Sequence, residues 1–176
     1  MATHPHPMSN RPQSSLGVST RSVVAAAPYW LVFVGIYLAY GFLWYFAAKE
    51  KLIDDGGTMP AGLAKAFDGS IFASVPGVDA SWVLLGLMEA VACVMFALSV
   101  IAGEFLPQRR KPILLGALGV SVLTFAVMAF AQNVIGDHES VASLMTYMAG
   151  ALVTLVAVAL ATPERIKQLS AMSSDH

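Results

Sequence analysis

The stretch GLMEAVACVMFALSV, Gly86 to Val100, carries a single charged side chain, the carboxylate of Glu89. It belongs to an apolar run from about Trp82 to Gly103, and crossing a hydrocarbon core takes roughly 20 apolar residues. Three more runs have this length without any Asp, Glu, Lys or Arg, at about Val23–Ala48, Ile113–Ile135 and Val141–Ala161. The pattern predicts an all-α membrane protein, an antiparallel bundle of four transmembrane helices with a helical outer loop between helices 1 and 2.

The amino-acid composition is that of a membrane protein. Of 176 residues, 57% are hydrophobic and 12% are charged, which is far less charge than a soluble domain of this size carries. The net charge of −1 provides no basic field, so no nucleic-acid partner is expected. The single cysteine, Cys93, excludes a disulfide within the chain and a site of several thiolates, and no metal site is predicted.

The flanks of the four runs set the domain boundaries and the orientation. Residues 1–22 are predicted to be a disordered cytoplasmic tail, 23–162 the membrane domain, and 163–176 a cytoplasmic carboxyl-terminal tail. Seven of the ten Lys and Arg residues fall on the amino-terminal side of the membrane, with the QRRK turn at 108–111 as the strongest anchor. Because Lys and Arg favour the cytoplasmic side, both termini are predicted to be cytoplasmic in a multi-pass inner (plasma) membrane protein.

The loop between the first two spans, roughly residues 49–81, is the longest connection between spans. Its segment DDGGTMP predicts a turn, AGLAKAF a short helix and GSIFASVPGV an apolar strip, so we expect a lid folded over the bundle. The connection GDHES between spans three and four is short, which favours a tight hairpin. We interpret its polar residues as a solvated turn, because adjacent turn residues rarely converge on one metal ion.

Glu89 is the residue that most needs a partner. It follows Trp82 by seven residues, which is about 10 Å below the predicted outer end of span two. A bare carboxylate there costs several kcal/mol, so it must be protonated, paired or next to a wet cavity. Lys51 is the favoured partner because its long stem can reach down from the end of span one. The supporting polar residues expected near this pair are Lys49, Gln132, Asn133, His138 and Tyr147.

Helical spacing predicts two polar faces in the outer half of the bundle. They are the faces of Ser121, Phe125, Met128 and Gln132 on span three, and of Ser143, Tyr147, Gly150 and Thr154 on span four. Two interpretations of Glu89 remain open: a structural brace with Lys51, or a pocket that handles a proton for a quinone or binds a polar head group. The cluster FLWYF, residues 42–46, is interpreted first as lipid contact and only second as a wall for a flat ring.

The chain resembles the DoxX-like family of small four-helix membrane proteins, which includes DoxX and MauE-type relatives. The segment GFLWYFAAKEKLID aligns Lys51 and Leu52 with the family's lysine and leucine, and LLGLMEAVACVMFAL aligns Gly86 and Glu89 with its Gly and Glu. The chain departs from the family at Ala48, where Gly is usual, and lacks the Gly-rich, Asp-containing tail. The resemblance implies a compact four-helix bundle, singles out Lys51 and Glu89, and for some members implies work beside quinone-linked redox enzymes.

These observations together predict an accessory or assembly component of a bacterial membrane redox or envelope system. Its expected partners are the lipid bilayer and other proteins of that system. One alternative is a quinone-interacting oxidoreductase subunit whose pocket uses Glu89 and Lys51, with quinone as the cofactor. A second alternative is a small transporter or lipid-binding module, and the sequence leaves open whether the protein is an enzyme.

Overall fold

The fold is seen in a computed structural model that describes residues 20–74 and 76–161, with side chains from residue 28 onward. The predicted carboxyl-terminal tail, residues 163–176, lies outside the described residues. The predicted amino-terminal tail, residues 1–22, also lies outside them up to residue 19. Helix begins at Thr20, three residues before the predicted start of the first run.

The described part of the chain is helical apart from its connections and contains no strand. Its elements are, in order, α1 (Thr20–Ile36), a π-helical turn (Tyr37–Gly41), α2 (Phe42–Lys49), a second π-helical turn (Glu50–Asp54), α3 (Ala61–Ala66), α4 (Ile71–Ser74), α5 (Val78–Ile101), α6 (Pro112–Val134) and α7 (His138–Leu160). The first four elements follow one another without a break, so they form one long helix.

Four helices in the described part of the chain are long and apolar enough to cross a membrane. They are Pro28–Asp54, Val78–Ile101, Pro112–Val134 and His138–Leu160. Only 17% to 39% of each span is buried inside the bundle, so most of each helix surface faces outward, where lipid covers it. The prediction of a four-helix membrane bundle is confirmed.

The first span is longer than its apolar run. The prediction ended it at Ala48 and placed Lys51 beyond it, whereas the helix continues to Asp54 and Lys51 lies in the second π turn. Backbone hydrogen bonds hold this end, because Asp55 N donates to Glu50 O at 2.8 Å. A helix end at the membrane surface tolerates charged residues, so the apolar run marks the hydrocarbon core and not the helix itself.

The aromatic cluster at residues 42–46 divides between lipid and core. Four of its five side chains are exposed, as predicted for lipid contact, and these are Phe42, Leu43, Tyr45 and Phe46. Trp44 is 1% exposed, so the lipid-contact prediction is wrong for this residue. Its Nε1 donates to Ser121 Oγ at 2.8 Å, and its ring lies 4.8 Å from that of Phe125. This hydrogen bond joins the first span to α6 inside the core.

Helix α7 presents a different face to the core from the one predicted. Ser143, Tyr147 and Gly150 are exposed, and Tyr147 is 59% exposed. The residues of α7 that are buried are Leu144, Ala151 and Val158. These apolar residues recur every seven positions, so they lie on one face of the helix and pack into the core without burying a hydroxyl group. Ser143, Tyr147 and Gly150 lie on a different face and are therefore exposed.

The loop between the first two spans folds back on the bundle as predicted. Met59 and Phe67 are buried, and the backbone N of Met59 donates to Asp79 Oδ1 at 2.8 Å. The ring of Phe72 lies 5.7 Å from that of Phe67 and 6.0 Å from that of Phe130 on α6. The lid, residues 55–77, is therefore attached to both α5 and α6.

A buried polar clasp closes the opposite end of the bundle. The Glu104 carboxylate accepts hydrogen bonds from the backbone N of Ile113 at 3.0 Å and of Leu114 at 2.7 Å, which caps the start of α6. Lys111 Nζ donates to the carbonyl oxygens of Glu104 at 2.7 Å and of Leu106 at 2.9 Å. Burial lowers the pKa of Lys111 below its ordinary value. The nearby Glu104 carboxylate raises this pKa, but by less than burial lowers it. Lys111 is 1% exposed, so it is a structural residue and not the surface charge assumed for the QRRK turn.

Candidate functional site

Lys51 and Glu89 form a buried ion pair. Lys51 Nζ lies 3.1 Å from Glu89 Oε1, and the side chains are 7% and 0% exposed. The second π turn carries Lys51 and the middle of α5 carries Glu89. The structure thus brings together the two residues that the sequence singled out as partners.

Gly86 allows the two helices to approach closely enough for this pair. A Cβ at position 86 would lie 2.9 Å from Leu52 Cδ2 and 3.1 Å from Lys51 Cβ. The stem of Lys51 therefore starts level with Gly86, and its ammonium reaches Glu89 almost one turn deeper. Glu89 lies about 16 Å along α5 from its first residue, Val78, and not 10 Å as expected from Trp82, because the helix begins four residues earlier.

The Glu89 carboxylate is incompletely satisfied. Neither oxygen accepts an aligned hydrogen bond from the residues that the structure describes, so the 3.1 Å contact with Lys51 is a charge pair without hydrogen-bond geometry. The Lys51 ammonium also lies over the ring of Trp82, 4.7 Å from its centroid. Burying an ion costs several kcal/mol, and a desolvated cation–π contact of this kind offsets about 2 kcal/mol or more of that cost.

A cavity of about 260 Å³ lies between the lid, α5 and α6, next to this pair. Met59, Phe67 and Phe72 of the lid form its roof. Apolar side chains of α5 and α6 form most of its walls, among them Leu84, Leu85, Met88, Val127 and Met128. Lys51 lines the cavity whereas Glu89 does not, so the carboxylate lies behind the ammonium when seen from the cavity.

Three further polar side chains line this cavity: Ser81, Trp82 and Gln132. Ser81 Oγ, Trp82 Nε1 and Gln132 Oε1 are buried, and each lacks a hydrogen-bond partner in the described part of the chain. An unsatisfied buried polar group costs about 1–3 kcal/mol. A water or ligand atom bonded to these groups would remove that cost.

The other predicted supporting residues lie elsewhere. Lys49 pairs with Asp54 at 2.6 Å on the surface, with exposures of 39% and 51%. Asn133 and His138 are exposed, and Tyr147 stacks on Phe125 at 6.0 Å from the outside. Of the five, only Gln132 reaches the cavity.

Polar residues of the GDHES turn form the amino-terminal cap of α7. Asp137 caps α7, accepting hydrogen bonds from Ser140 N at 3.0 Å and from Ser140 Oγ at 2.6 Å. These hydrogen bonds hold the pKa of Asp137 below its ordinary value. Among the described residues, no three His, Cys, Asp or Glu side chains come together in a way that would hold a metal ion.

Ser81 and Trp82 are site residues that the sequence reasoning missed. Trp82 shares a helical face with Glu89, two turns away. The seven-residue spacing between Trp82 and Glu89 therefore indicates, from the sequence alone, that Trp82 lies on the same side of α5 as the ion pair. The contribution of Met59 had no local signal, because it depends on how the lid folds back.

The fold and the cavity define a class: a four-helix membrane protein with a lidded polar–apolar cavity beside a buried ion pair. In comparisons with known proteins, no family model, curated protein or solved structure matches this chain. The assignment to the DoxX-like family remains a prediction from the motifs around Lys51 and Glu89.

Proposed function

We propose that this chain is a DoxX-like protein of a bacterial inner membrane that binds a quinone-type ring in the cavity under its lid. It would serve as an accessory or assembly component of a membrane redox or envelope system. The observation that carries the proposal is the cavity of about 260 Å³ with Lys51 in its wall and unpartnered polar atoms in Ser81, Trp82 and Gln132.

The size and lining of the cavity favour the ring of a lipid-soluble molecule. Sites for drug-sized ligands have volumes of about 300–1,000 Å³, so this cavity suits a head group better than a whole lipid. Phe67, Phe72 and three methionines offer flat or adaptable apolar contacts, and methionine sulfur packs well on aromatic rings. A planar ring with few polar atoms matches this lining.

The charges favour a neutral ligand with carbonyl oxygens. Lys51 and Glu89 cancel each other, so the site has no net charge to attract an anion or a cation. Lys51 and Trp82 are lining residues with N–H groups, and a carbonyl oxygen accepts hydrogen bonds from such groups. The Glu89 carboxylate, 3.1 Å from Lys51 Nζ, holds the Lys51 side chain beside the cavity.

The orientation proposed for the protein places this site near the outer surface. Three basic residues flank the outer ends of the spans, against seven on the other side. This asymmetry supports cytoplasmic termini and an outward-facing lid. A ligand in the cavity would then exchange with the outer leaflet or with a partner on that side.

The proposal is tested by ligand binding to the purified protein. Protein isolated in mild detergent should carry extractable quinone, and it should bind 2,3-dimethoxy-5-methyl-1,4-benzoquinone, a ring without a tail, with quenching of Trp82 fluorescence. Lys51→Met removes a charged donor, so we expect binding at least about tenfold weaker. The matched control is Lys49→Met, which lies two residues away in a surface pair and should bind like wild type.

Two results would contradict the proposal. Folded wild-type protein that neither carries nor binds the ring excludes the function. If Lys51→Met binds as tightly as Lys49→Met while its unfolding temperature falls, the ion pair is a structural brace and not part of a binding site.

A further inference from the structure

The cavity under the lid has an exposed apolar side within the span region. Among its lining residues, Leu84 on α5 is 56% exposed and Val127 on α6 is 38% exposed. Their neighbours in the wall, Leu85 and Met88 on α5 and Met128 on α6, are only partly exposed. In a membrane, exposed leucine and valine on a spanning helix contact lipid chains.

The two exposed residues lie at the same level of the bundle. Leu84 is six residues after the outer start of α5 at Val78, which is about 9 Å. Val127 is seven residues before the outer end of α6 at Val134, which is about 10 Å. Because α5 and α6 are antiparallel neighbours, these two exposed lining residues lie at a similar level of the bundle.

The lid restricts the approach from the water side. The Met59 backbone is bonded to Asp79 at the start of α5, and Phe72 contacts Phe130 on α6. Pro76 is the one other exposed residue of the cavity lining, and it marks a competing entrance at the edge of the lid. Leu84 and Val127, by contrast, are exposed residues of the lining with apolar side chains.

We propose that the ligand enters from the outer half of the bilayer between α5 and α6, and that its hydrocarbon tail stays in this lateral opening over Leu84 and Val127. The inference rests on the proposed ring-binding function and adds the position of the ligand's hydrocarbon tail. The cavity has room for a head group and opens to lipid, so it suits a ring with a long alkyl or isoprenoid chain. The ring would sit beside Lys51 while the chain remains among the lipids.

A photoreactive ligand tests the position of the tail. The probe is the same benzoquinone ring with a ten-carbon chain that carries a diazirine, added to wild-type protein in lipid nanodiscs. After illumination and digestion, we expect the label on peptides of α5 and α6 that contain Leu84 or Val127. An excess of the ring without a tail should reduce the labelling, because both molecules need the same cavity.

A matched pair of variants tests the opening itself. Leu84→Trp fills the lateral opening, and Leu87→Trp places the same bulk on a lipid-exposed residue of α5 that does not line the cavity. Relative to wild type, we expect Leu84→Trp to lower the yield of specific labelling several-fold. Leu87→Trp, which lies outside the cavity lining, should leave the yield unchanged and should still bind the ring without a tail.

The outcomes separate this inference from the function beneath it. If the ring without a tail binds but the label falls on the lid around Pro76, or Leu84→Trp labels like Leu87→Trp, the lateral opening is wrong and the ring site stands. If neither the ring nor the chain-bearing probe binds wild-type protein, both the function and this inference fail.

Discussion

At the scale of single residues, the Lys51–Glu89 pair determines the character of the site. Its carboxylate lacks hydrogen bonds from the described residues, and Lys51 is one of the residues that line the cavity. A pair kept only for stability would gain from full hydrogen bonding, because desolvation otherwise offsets most of the attraction between the charges. The incomplete hydrogen bonding of this buried pair therefore favours a role in binding.

The coupling within this pair is testable by a double-mutant cycle. Lys51→Met leaves the buried carboxylate unpaired, so we expect a loss of about 3–5 kcal/mol in the free energy of unfolding unless the acid takes up a proton. Glu89→Leu should also destabilise the protein, and the double variant should be no worse than Lys51→Met alone. Unfolding in mixed detergent measures all four proteins. Additive losses would show that the two residues act independently.

Residue pairing could be predicted here because it follows from electrostatics. Glu89 needed a partner in an apolar run, and Lys51 had the reach to supply one. The burial of Trp44 was not predicted, because a tryptophan in an aromatic cluster fits lipid contact equally well until its hydrogen bond to Ser121 is known. The same holds for Lys111, whose acceptors are backbone carbonyls that the sequence does not mark.

At the scale of the elements, the contact between the end of the first span and α5 positions the site. Gly86 of α5 packs directly against Leu52 and Lys51, where an added Cβ would lie within 3.1 Å of both residues. Small residues at such contacts allow helix backbones to approach closely in membranes. A larger side chain here would separate the two helices that carry the ion pair.

We expect Gly86→Ala to destabilise the protein by about 1–3 kcal/mol, because the new Cβ would lie 2.9 Å from Leu52 Cδ2. It should also weaken ring binding by moving Lys51. Gly119→Ala on α6 is the matched control, since a Cβ there has no neighbour within 4 Å and alanine favours helix. Unfolding and binding of the two variants are measured side by side. Equal stability of both would contradict the close contact.

The number and order of the spans could be predicted, since lipid demands long apolar helices. Their ends could not, because charged residues such as Lys49 and Lys51 stay helical beyond the apolar run. The lid was predicted from its apolar strip, although Ile71 in that strip is 63% exposed. Which side chains of the lid enter the cavity depends on tertiary contacts that no local pattern encodes.

At the scale of the whole molecule, the two ends of the bundle differ in kind. One end holds the lid and the cavity, whereas the other is closed by the clasp of Glu104 and Lys111. The charged residues of the clasp, Glu104 and Lys111, are buried. Arg109 and Arg110 therefore carry the exposed positive charge of that turn. The proposed inward orientation of this end rests on these residues and on the basic residues of both tails.

Orientation is measured by cysteine labelling in a Cys93→Ala background. Thr58→Cys in the lid and Gln108→Cys in the opposite turn both replace exposed residues. In intact spheroplasts, a membrane-impermeant maleimide should label position 58 and should reach position 108 only after lysis. The reverse pattern would invert the topology and place the lid in the cytoplasm.

The first span contains two π-helical turns, Tyr37–Gly41 and Glu50–Asp54. Each turn rotates the side chains that follow it around the helix axis, relative to a regular α-helix. A π turn accommodates about one extra residue, and each α-helical residue accounts for about 100° of rotation. The direction of every side chain beyond such a turn is thus set by counting residues as well as by their chemistry. Lys51 lies inside the second turn, so a related chain could keep every polar residue and still lose the pair by a single deletion upstream.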